Sequence, residues 1–125
     1  MSDVQVKRIE EIEFFQGPKA IPGIRFHPAA RALGVTAWGM NVIEIEPGCT
    51  GYPEHDHARD GQEEVYVVLR GAATLVAGDE RLDLAPGTLV RVGPAQRRKL
   101  LPGSDGVTLL ALGATPGKAY EPRSR

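Results

Sequence analysis

The sequence of 125 residues is 42% hydrophobic and carries a net charge of −1, a balance that suits one small domain with a modest core. No dense basic block and no apolar stretch of about 18 residues is present, which argues against a nucleic-acid partner and a membrane span. A single cysteine, Cys49, and an N-terminus without the apolar core of a signal peptide favour a cytoplasmic protein whose partners are small molecules.

Residues 1–34 are expected to form an extension ahead of the main domain. The alternation of Val4 and Val6 predicts a short strand, and the apolar residues over 9–15 have the spacing of one or two helical turns. A second short helix is predicted over 28–34, because this stretch begins with proline and ends with glycine. Helix is therefore predicted only as short turns near the N-terminus.

A long strand is predicted over 35–46, where each face is apolar along part of its length. Such a strand faces the domain interior in one half and packs against another layer in the other. Trp38 and Met40 are candidates for a pocket wall or an interface, with ordinary core packing as the alternative. Because a small domain leaves this strand and the apolar N-terminal segment partly uncovered, we expect a homodimer.

The stretch 51–71 carries the strongest chemical signal. His55 and His57 are one residue apart, so in an extended segment both side chains point to the same face. A carboxylate pair, Glu63 and Glu64, opens a β-branched and aromatic run that predicts a buried strand ending at Gly71. Two imidazoles and a carboxylate are the ligands of open non-haem iron sites, and they also suit manganese, nickel, copper and zinc. The stretch therefore predicts a divalent metal site.

These residues resemble the first motif of the cupin superfamily, in which His-x-His is followed by a glutamate, six residues and a glycine. Glu64 fits the glutamate, because six residues separate it from Gly71. The resemblance implies that His55, His57 and Glu64 are metal ligands.

One spacing departs from that motif. Six residues separate His57 from Glu64 where the family usually has three or four, so the loop 58–63 must bulge. Glu63 and Gln62 lie at the end of this loop and are alternative ligands. Glu64 is the first choice and Glu63 the second.

Carboxylates next to the two histidines were considered as supports for them. A metal-binding imidazole donates its other ring N–H to an acceptor, and Glu54 and Asp56 are nearby. Both residues alternate with the histidines along the extended segment, so their side chains point to the opposite face. We therefore expect both to be surface carboxylates.

Short strands at regular intervals follow, which is typical of an all-β sandwich or barrel. They are predicted over 73–76, 81–84, 89–92 and 107–112. The resemblance to the cupins sharpens this to an all-β, double-stranded antiparallel β-barrel, or jelly roll, over residues 35–112. Residues 113–125, rich in glycine, proline and charge, are expected to form a tail.

The stretch from Pro86 onward resembles the start of the second cupin motif, and the register of its metal-binding histidine falls on Arg98. A guanidinium stays protonated and has no lone pair to donate, so Arg98 cannot bind a metal ion. The ligand set implied by the resemblance is therefore short of one histidine, and we expect metal binding to be weak, partial or absent.

The missing histidine leaves three hypotheses for function. In the first, the three-ligand site holds Fe, Mn, Ni, Zn or Cu and leaves positions for water and a small substrate, and the resemblance implies oxygenase or isomerase chemistry. In the second, metal is absent or weakly bound, and the barrel binds a small, anionic ligand through Arg98 or Arg91. In the third, the histidines and Glu64 form a buried polar cluster in which the glutamate pairs with an arginine. Tyr66 shares the parity of Glu64, so we expect it to line the cavity beside that residue.

Overall fold

The computed structural model of the protein describes residues 2–122, and its regular structure is almost entirely β. All strand pairings are antiparallel, and helix is confined to a 3₁₀ turn and one short α-helix near the N-terminus. The strands are β1 Ile24–His27, β2 Gly39–Ile45, β3 Glu63–Ala77, β4 Glu80–Leu84, β5 Leu89–Val92 and β6 Lys99–Ala114. The predicted all-β antiparallel fold with short N-terminal helical turns is confirmed.

The strands form one sheet in the order β1-β2-β6-β3-β4. β4 and β5 pair with the same edge of β3, at opposite ends of that strand. β3 and β6 pair along nearly their whole length and form the centre of the sheet. In residues 2–122 the two edges of the sheet do not pair with each other, so the sheet does not close into the predicted barrel. The segment before β3 meets the segment before β6 through an isolated bridge between His55 and Arg98 and a hydrogen bond from the amide of His57 to the carbonyl of Pro94.

A close approach of two glycines bends the central strand pair. Gly71 in β3 and Gly106 in β6 have φ angles of 71° and 77°, and a Cβ on Gly71 would lie 2.1 Å from the carbonyl oxygen of Gly106. The register between the two strands shifts just before and just after Gly71. Glycine therefore acts as a bend inside a continuous strand, and the strand predicted to end at Gly71 runs on to Ala77.

The last strand is also longer than the stretch 107–112 that the sequence predicts. β6 begins at Lys99, and its residues around Pro102 pair with β3 although their proline and glycine content is typical of a turn. Cross-strand pairing has overridden local composition here. β6 ends at Ala114, residues 115–122 contain no strand or helix, and residues 123–125 of the predicted tail lie outside the described residues.

The N-terminal segment differs from the prediction in the position of its strand. Residues 4–6 form no strand, and the first strand is β1, which pairs with β2. The 3₁₀ turn spans Ile9–Glu11 and the α-helix, α1, spans Ala29–Leu33. Neither helical segment of the described chain has the length and hydropathy that a membrane-spanning helix requires.

β2 begins four residues later than predicted, because the chain after α1 is first bonded back to the helix and then irregular over 36–38. Gly34, at φ 79°, ends the helix, and the amide of Val35 still donates to the carbonyl of Ala30 at 2.8 Å. The chain becomes extended only at Gly39.

Two apolar clusters cover the two faces of β2. Ile43 and Ile45 point into the main core, to which all six strands contribute side chains. Val42 points to the other face and is buried against Ile12 and Ala29 of the N-terminal segment. The N-terminal segment therefore covers part of the outer face of this strand, and the homodimer stays a prediction.

The structure does not support a pocket-wall role for Trp38 or Met40. Met40 packs against the second cluster, on the outer face of the sheet. Trp38 lies ahead of β2 and is 42% exposed. Neither residue belongs to the histidine site described below.

We predict that Gly71→Ala lowers the free energy of unfolding by about 3 to 5 kcal/mol, because the new Cβ meets a carbonyl oxygen and alanine is strained at positive φ. Gly87→Ala is the matched control, since Gly87 has a φ of 84° and a Cβ there meets nothing within 4 Å. We expect the control to lose only the strain, about 1 to 2 kcal/mol. Urea unfolding measures both values, and equal losses would contradict the close approach.

Candidate metal centre

His55 and His57 lie in an extended segment that runs beside residues 94–98, between β5 and β6. The amide of His55 donates to the carbonyl of Arg98 at 3.0 Å, and the amide of Arg98 donates back at 2.9 Å. The amide of His57 donates to the carbonyl of Pro94 at 2.8 Å. These backbone bonds hold the segment extended, so both imidazoles project to the same side.

Glu64, in β3, faces the two imidazoles. Its Oε1 lies 3.6 Å from Nε2 of His55 and 3.4 Å from Nε2 of His57. The two rings meet edge to face with their centroids 5.3 Å apart, and one ligand atom from each of the three residues lies within 4.8 Å of the others. The structure therefore brings together the three side chains that the sequence motif singles out.

The other ring nitrogen of each histidine has a fixed acceptor. Nδ1 of His55 donates to the carbonyl of Pro53 at 3.0 Å, and Nδ1 of His57 donates to the carboxylate of Asp60 at 3.1 Å. Carbonyl and carboxylate oxygens only accept hydrogen bonds, so each Nδ1 carries a proton and each neutral ring has its lone pair on Nε2. Metal-binding histidines are usually held in this way.

The cluster fits a divalent metal ion. Metal–ligand bonds of about 2.0 to 2.2 Å place neighbouring ligand atoms roughly 3.0 to 3.5 Å apart at common bond angles. The separations of 3.4 and 3.6 Å from Glu64 are close to that range. His55, His57 and Glu64 supply two imidazoles and one carboxylate, the donor set of an open three-ligand site.

Arg98 occupies the position where the second cupin motif has a histidine, and it is 0% exposed. Its Nη2 donates to Oε1 of Glu64, the same oxygen that faces both histidines. Nε donates to the hydroxyl of Tyr66 at 3.4 Å, and Nη1 donates to the carbonyl of Gln96 at 2.8 Å. Every nitrogen of the guanidinium has a partner within the protein, so Arg98 presents no open fork to an anionic ligand.

Tyr66 lies next to Glu64 on the same face of β3. Its hydroxyl donates to Oε1 of Glu64 at 3.0 Å and lies 3.2 Å from the hydroxyl of Tyr52. Burial raises the pKa of Tyr66 to about 12, so the phenol stays a neutral donor. Tyr52 was not singled out from the sequence, and its only signal there is its position three residues before His55.

The alternative ligands point elsewhere. Glu63 accepts a hydrogen bond from Nε of Arg91 at 2.7 Å, in an exposed pair. Gln62 donates its side-chain amide to Asp60 at 3.3 Å. Because neighbouring residues of a strand face opposite sides, Glu63 turns away where Glu64 turns towards the histidines. Arg91 is paired with Glu63 and therefore also lies outside the cluster.

The carboxylate that supports His57 was not predicted. Glu54 and Asp56, the two neighbours considered from the sequence, instead lie 3.4 and 3.8 Å from side-chain nitrogens of Arg97. Asp60 takes the supporting role from within the loop that follows His57. The sequence signal for it is an Asp-Gly dipeptide, a common turn, three residues after the histidine.

The third histidine, His27, is buried apart from the cluster. Its ring nitrogens lie 2.7 Å from the carbonyl oxygen of Ile12 and 2.7 Å from the carboxylate of Glu44. It borders a groove of about 740 Å³ that is lined mainly by the N-terminal segment. His27 therefore attaches that segment to β2 and takes no part in the metal centre.

The charges of the cluster favour an ionised Glu64. Burial alone would raise the pKa of this carboxyl, but His55 together with the hydrogen bond and charge of Arg98 outweighs burial and lowers the pKa to about 2. Glu64 in turn raises the pKa of His55, although burial of the imidazole opposes this. The carboxylate is therefore charged and available as a ligand at neutral pH.

The fold and the cluster together define a small antiparallel β protein in which two histidines and a glutamate lie close enough to hold a metal ion. The family model described as "Cupin domain" matches residues 41–111, more than half of the chain. The chain therefore belongs to the cupin domain family. Among curated proteins, no match to the chain is found.

Several solved structures share this fold. A sugar phosphate isomerase of the cupin superfamily from Silicibacter pomeroyi is 23% identical with a TM-score of 0.75, covering 90% of this chain and 77% of its own. A putative sugar phosphate isomerase from Acidithiobacillus ferrooxidans is 29% identical with a TM-score of 0.59, covering 72% of this chain and 58% of its own. A predicted oxalate decarboxylase from Thermotoga maritima is 17% identical with a TM-score of 0.68, covering 89% of this chain and 99% of its own.

We predict that Glu64 governs the acid stability of the metal-free protein. Because folding lowers its pKa from 4.5 to about 2, its charged form stabilises the fold fully above pH 4.5, and this stabilisation is lost as the pH falls towards 2. The loss is about 3 kcal/mol, at ~1.4 kcal/mol per pKa unit. Urea unfolding with a chelator present measures the free energy of unfolding across this pH range. As the pH falls, this free energy should decrease more steeply for the parent than for Glu64→Gln.

Glu63→Gln is the control for this measurement, because Glu63 is exposed and paired only with Arg91. We expect its acid limb to follow that of the parent. Parallel acid limbs for the parent and Glu64→Gln would contradict the assigned pKa of Glu64.

Proposed function

We propose that this cupin binds one divalent transition-metal ion through His55, His57 and Glu64 and presents it to a small-molecule substrate. The observation that carries the proposal is the convergence of two Nε2 atoms on a single oxygen of Glu64, at 3.6 and 3.4 Å. Both rings are already held at Nδ1, so little side-chain freedom is lost when a metal ion binds. Fe, Mn, Ni, Zn and Cu all suit these donors.

We further propose an isomerase acting on a small anionic sugar derivative. The support is that two structures with this fold are described as sugar phosphate isomerases, one of them as putative, and that a three-ligand site leaves positions for a chelating substrate. A bound metal ion would supply Lewis-acid polarisation of a carbonyl or hydroxyl oxygen. Oxygenase chemistry, which the motif also suggests, has no comparable support among these structures.

The residues around the ligands have separable roles in this proposal. Tyr66 and Arg98 hold the carboxylate of Glu64 in place by donating hydrogen bonds to its Oε1. His55 is the more accessible histidine, with 31% of its side chain exposed against 13% for His57. We therefore propose that a substrate approaches the centre past His55.

A second candidate function is a metal-free cupin that binds a small ligand. The observation that favours it is the complete burial of Arg98 against Glu64, because this guanidinium already neutralises the carboxylate. Arg98 and Arg91 both have partners within the chain, so an anionic ligand would contact His55 and His57 in this alternative.

A homodimer also remains a proposal, on grounds other than the face of β2. Leu89 in β5 and Leu69 in β3 are 68% and 41% exposed, and β3 and β5 are paired neighbours. Exposed leucines on adjacent strands are typical of a surface that a second copy covers.

We predict that sedimentation velocity at high micromolar concentration finds a dimer, and that Leu89→Lys shifts it towards monomer by placing a charge in the interface. Leu82→Lys is the control, because Leu82 is a 40% exposed leucine on a different strand, β4. A parent that sediments only as a monomer would contradict the dimer.

We predict that calorimetric titration with Mn²⁺, Fe²⁺, Ni²⁺ and Zn²⁺ detects one site per chain for at least one of these ions. His55→Ala and His57→Ala should each abolish it, since two ligands do not hold such an ion tightly. Glu63→Ala is the matched control, because it removes a carboxylate next to Glu64 that faces the other way, and it should bind like the parent. If both histidine variants bind as tightly as the parent, the metal site is wrong and the metal-free function replaces it.

Arg98→His should bind the same ion at least tenfold more tightly, a gain of about 1.4 kcal/mol. The substitution adds an imidazole at the register of the family's third histidine and removes a positive charge from the same carboxylate. Circular dichroism of the variant verifies that the fold is retained. Weaker metal binding by a folded Arg98→His would contradict the inference that Arg98 occupies the position of a metal-binding histidine.

A further inference from the structure

A carboxylate supports only one of the two histidines in the cluster. Nδ1 of His57 lies 3.1 Å from Oδ1 and 3.2 Å from Oδ2 of Asp60, whereas Nδ1 of His55 donates to the backbone carbonyl of Pro53 at 3.0 Å. A charged acceptor forms a stronger hydrogen bond than a neutral carbonyl. The imidazole of His57 is therefore held more firmly than that of His55.

The loop between His57 and β3 holds Asp60 in this position. Gln62 donates its backbone N–H to Oδ1 at 3.2 Å and its side-chain amide to Oδ2 at 3.3 Å. The intervening Gly61 has a φ of 71°, and its N–H donates to the carbonyl of His57 at 2.8 Å. From beyond β6, the hydroxyl of Thr115 donates to the carbonyl of Asp60 at 2.8 Å. The carboxylate is thus placed by the loop and does not depend on His57 for its position.

This contact also gives the long loop a function. The loop 58–63 exceeds the spacing of the motif that it interrupts, and its additional residues form the turn that returns a carboxylate to His57. A loop kept only as a connection would not need a half-buried hydrogen bond to His57.

We propose that Asp60 is a positioning residue of the metal centre: it keeps the proton of His57 on Nδ1 and aims Nε2 at the position next to Glu64. This role rests on the proposed metal function, because its consequence is a higher metal affinity. Asp60 does not itself touch the metal ion and acts only through His57.

The tautomer of His57 is the first readout. Nitrogen-15 NMR of the imidazole rings in metal-free protein, at a pH where both rings are neutral, reports which nitrogen of each histidine carries the proton. We expect the proton of His57 on Nδ1 in the parent, and a shift towards Nε2 in Asp60→Ala, with His55 unchanged as an internal reference. An unchanged His57 tautomer in Asp60→Ala overturns the proposal.

Metal affinity is the second readout. Calorimetric titration with Zn²⁺ should show a loss of about 10- to 100-fold for Asp60→Ala. Asp60→Asn keeps an acceptor oxygen without the charge and should lose less, and this variant carries the test if Asp60→Ala does not fold. Asp56→Ala is the matched control, since that carboxylate accepts the amide of Ala58 at 3.0 Å and faces away from the histidines. Equal Zn²⁺ affinities in the parent and the folded Asp60 variants overturn the proposal.

The two readouts separate this proposal from the proposed function. A parent that binds none of the four ions overturns the metal function, whereas the tautomer is measured without metal. If the tautomer then still shifts in Asp60→Ala, Asp60 orients His57 for a metal-free role and its proposed effect on metal affinity is overturned.

Discussion

The buried ion pair between Arg98 and Glu64 is the interaction on which the site depends. Two charges removed from water require each other, since losing either one leaves the other unpaired at a cost of about 3 to 5 kcal/mol. The pair joins β3 to the segment ahead of β6, and the backbone of that segment is hydrogen-bonded to the backbone of His55. Because the guanidinium compensates Glu64 without a metal ion, the cluster does not require metal to form, and in the proposed function a metal ion would add to a cluster that is already assembled.

Side-chain alternation made the three side chains of the cluster predictable from the sequence. It places His55 beside His57 and turns Glu64 inward while Glu63 turns outward, whatever the rest of the fold does. The loop carboxylate Asp60 was missed, because its contact depends on the conformation of an irregular loop that has no periodic pattern. The hypothesis that Glu64 pairs with an arginine is met by Arg98, whereas the contacts of Arg98 with Tyr66 and Gln96 were missed because they depend on which strands meet around it.

Glycine and proline account for most of the differences in the fold. Composition indicates a turn at Gly71 and again around Pro102, yet both lie inside long strands because β3 and β6 pair across them. Local sequence specifies what a residue tolerates, and strand pairing decides whether a glycine reverses the chain or bends a strand. Closure of a sheet is further removed from local sequence, because it requires two edges to meet.

Anomalous diffraction from crystals soaked with Mn²⁺ or Zn²⁺ tests most directly whether His55, His57 and Glu64 hold a metal ion beside a buried arginine. We predict one peak bounded by the two Nε2 atoms and Oε1 of Glu64, at ligand distances of about 2.0 to 2.2 Å. We also expect that Arg98 still donates to Glu64 in that structure. An empty cluster in crystals that bind the ion elsewhere, or a peak that displaces Arg98 from Glu64, would contradict a metal site beside a buried arginine.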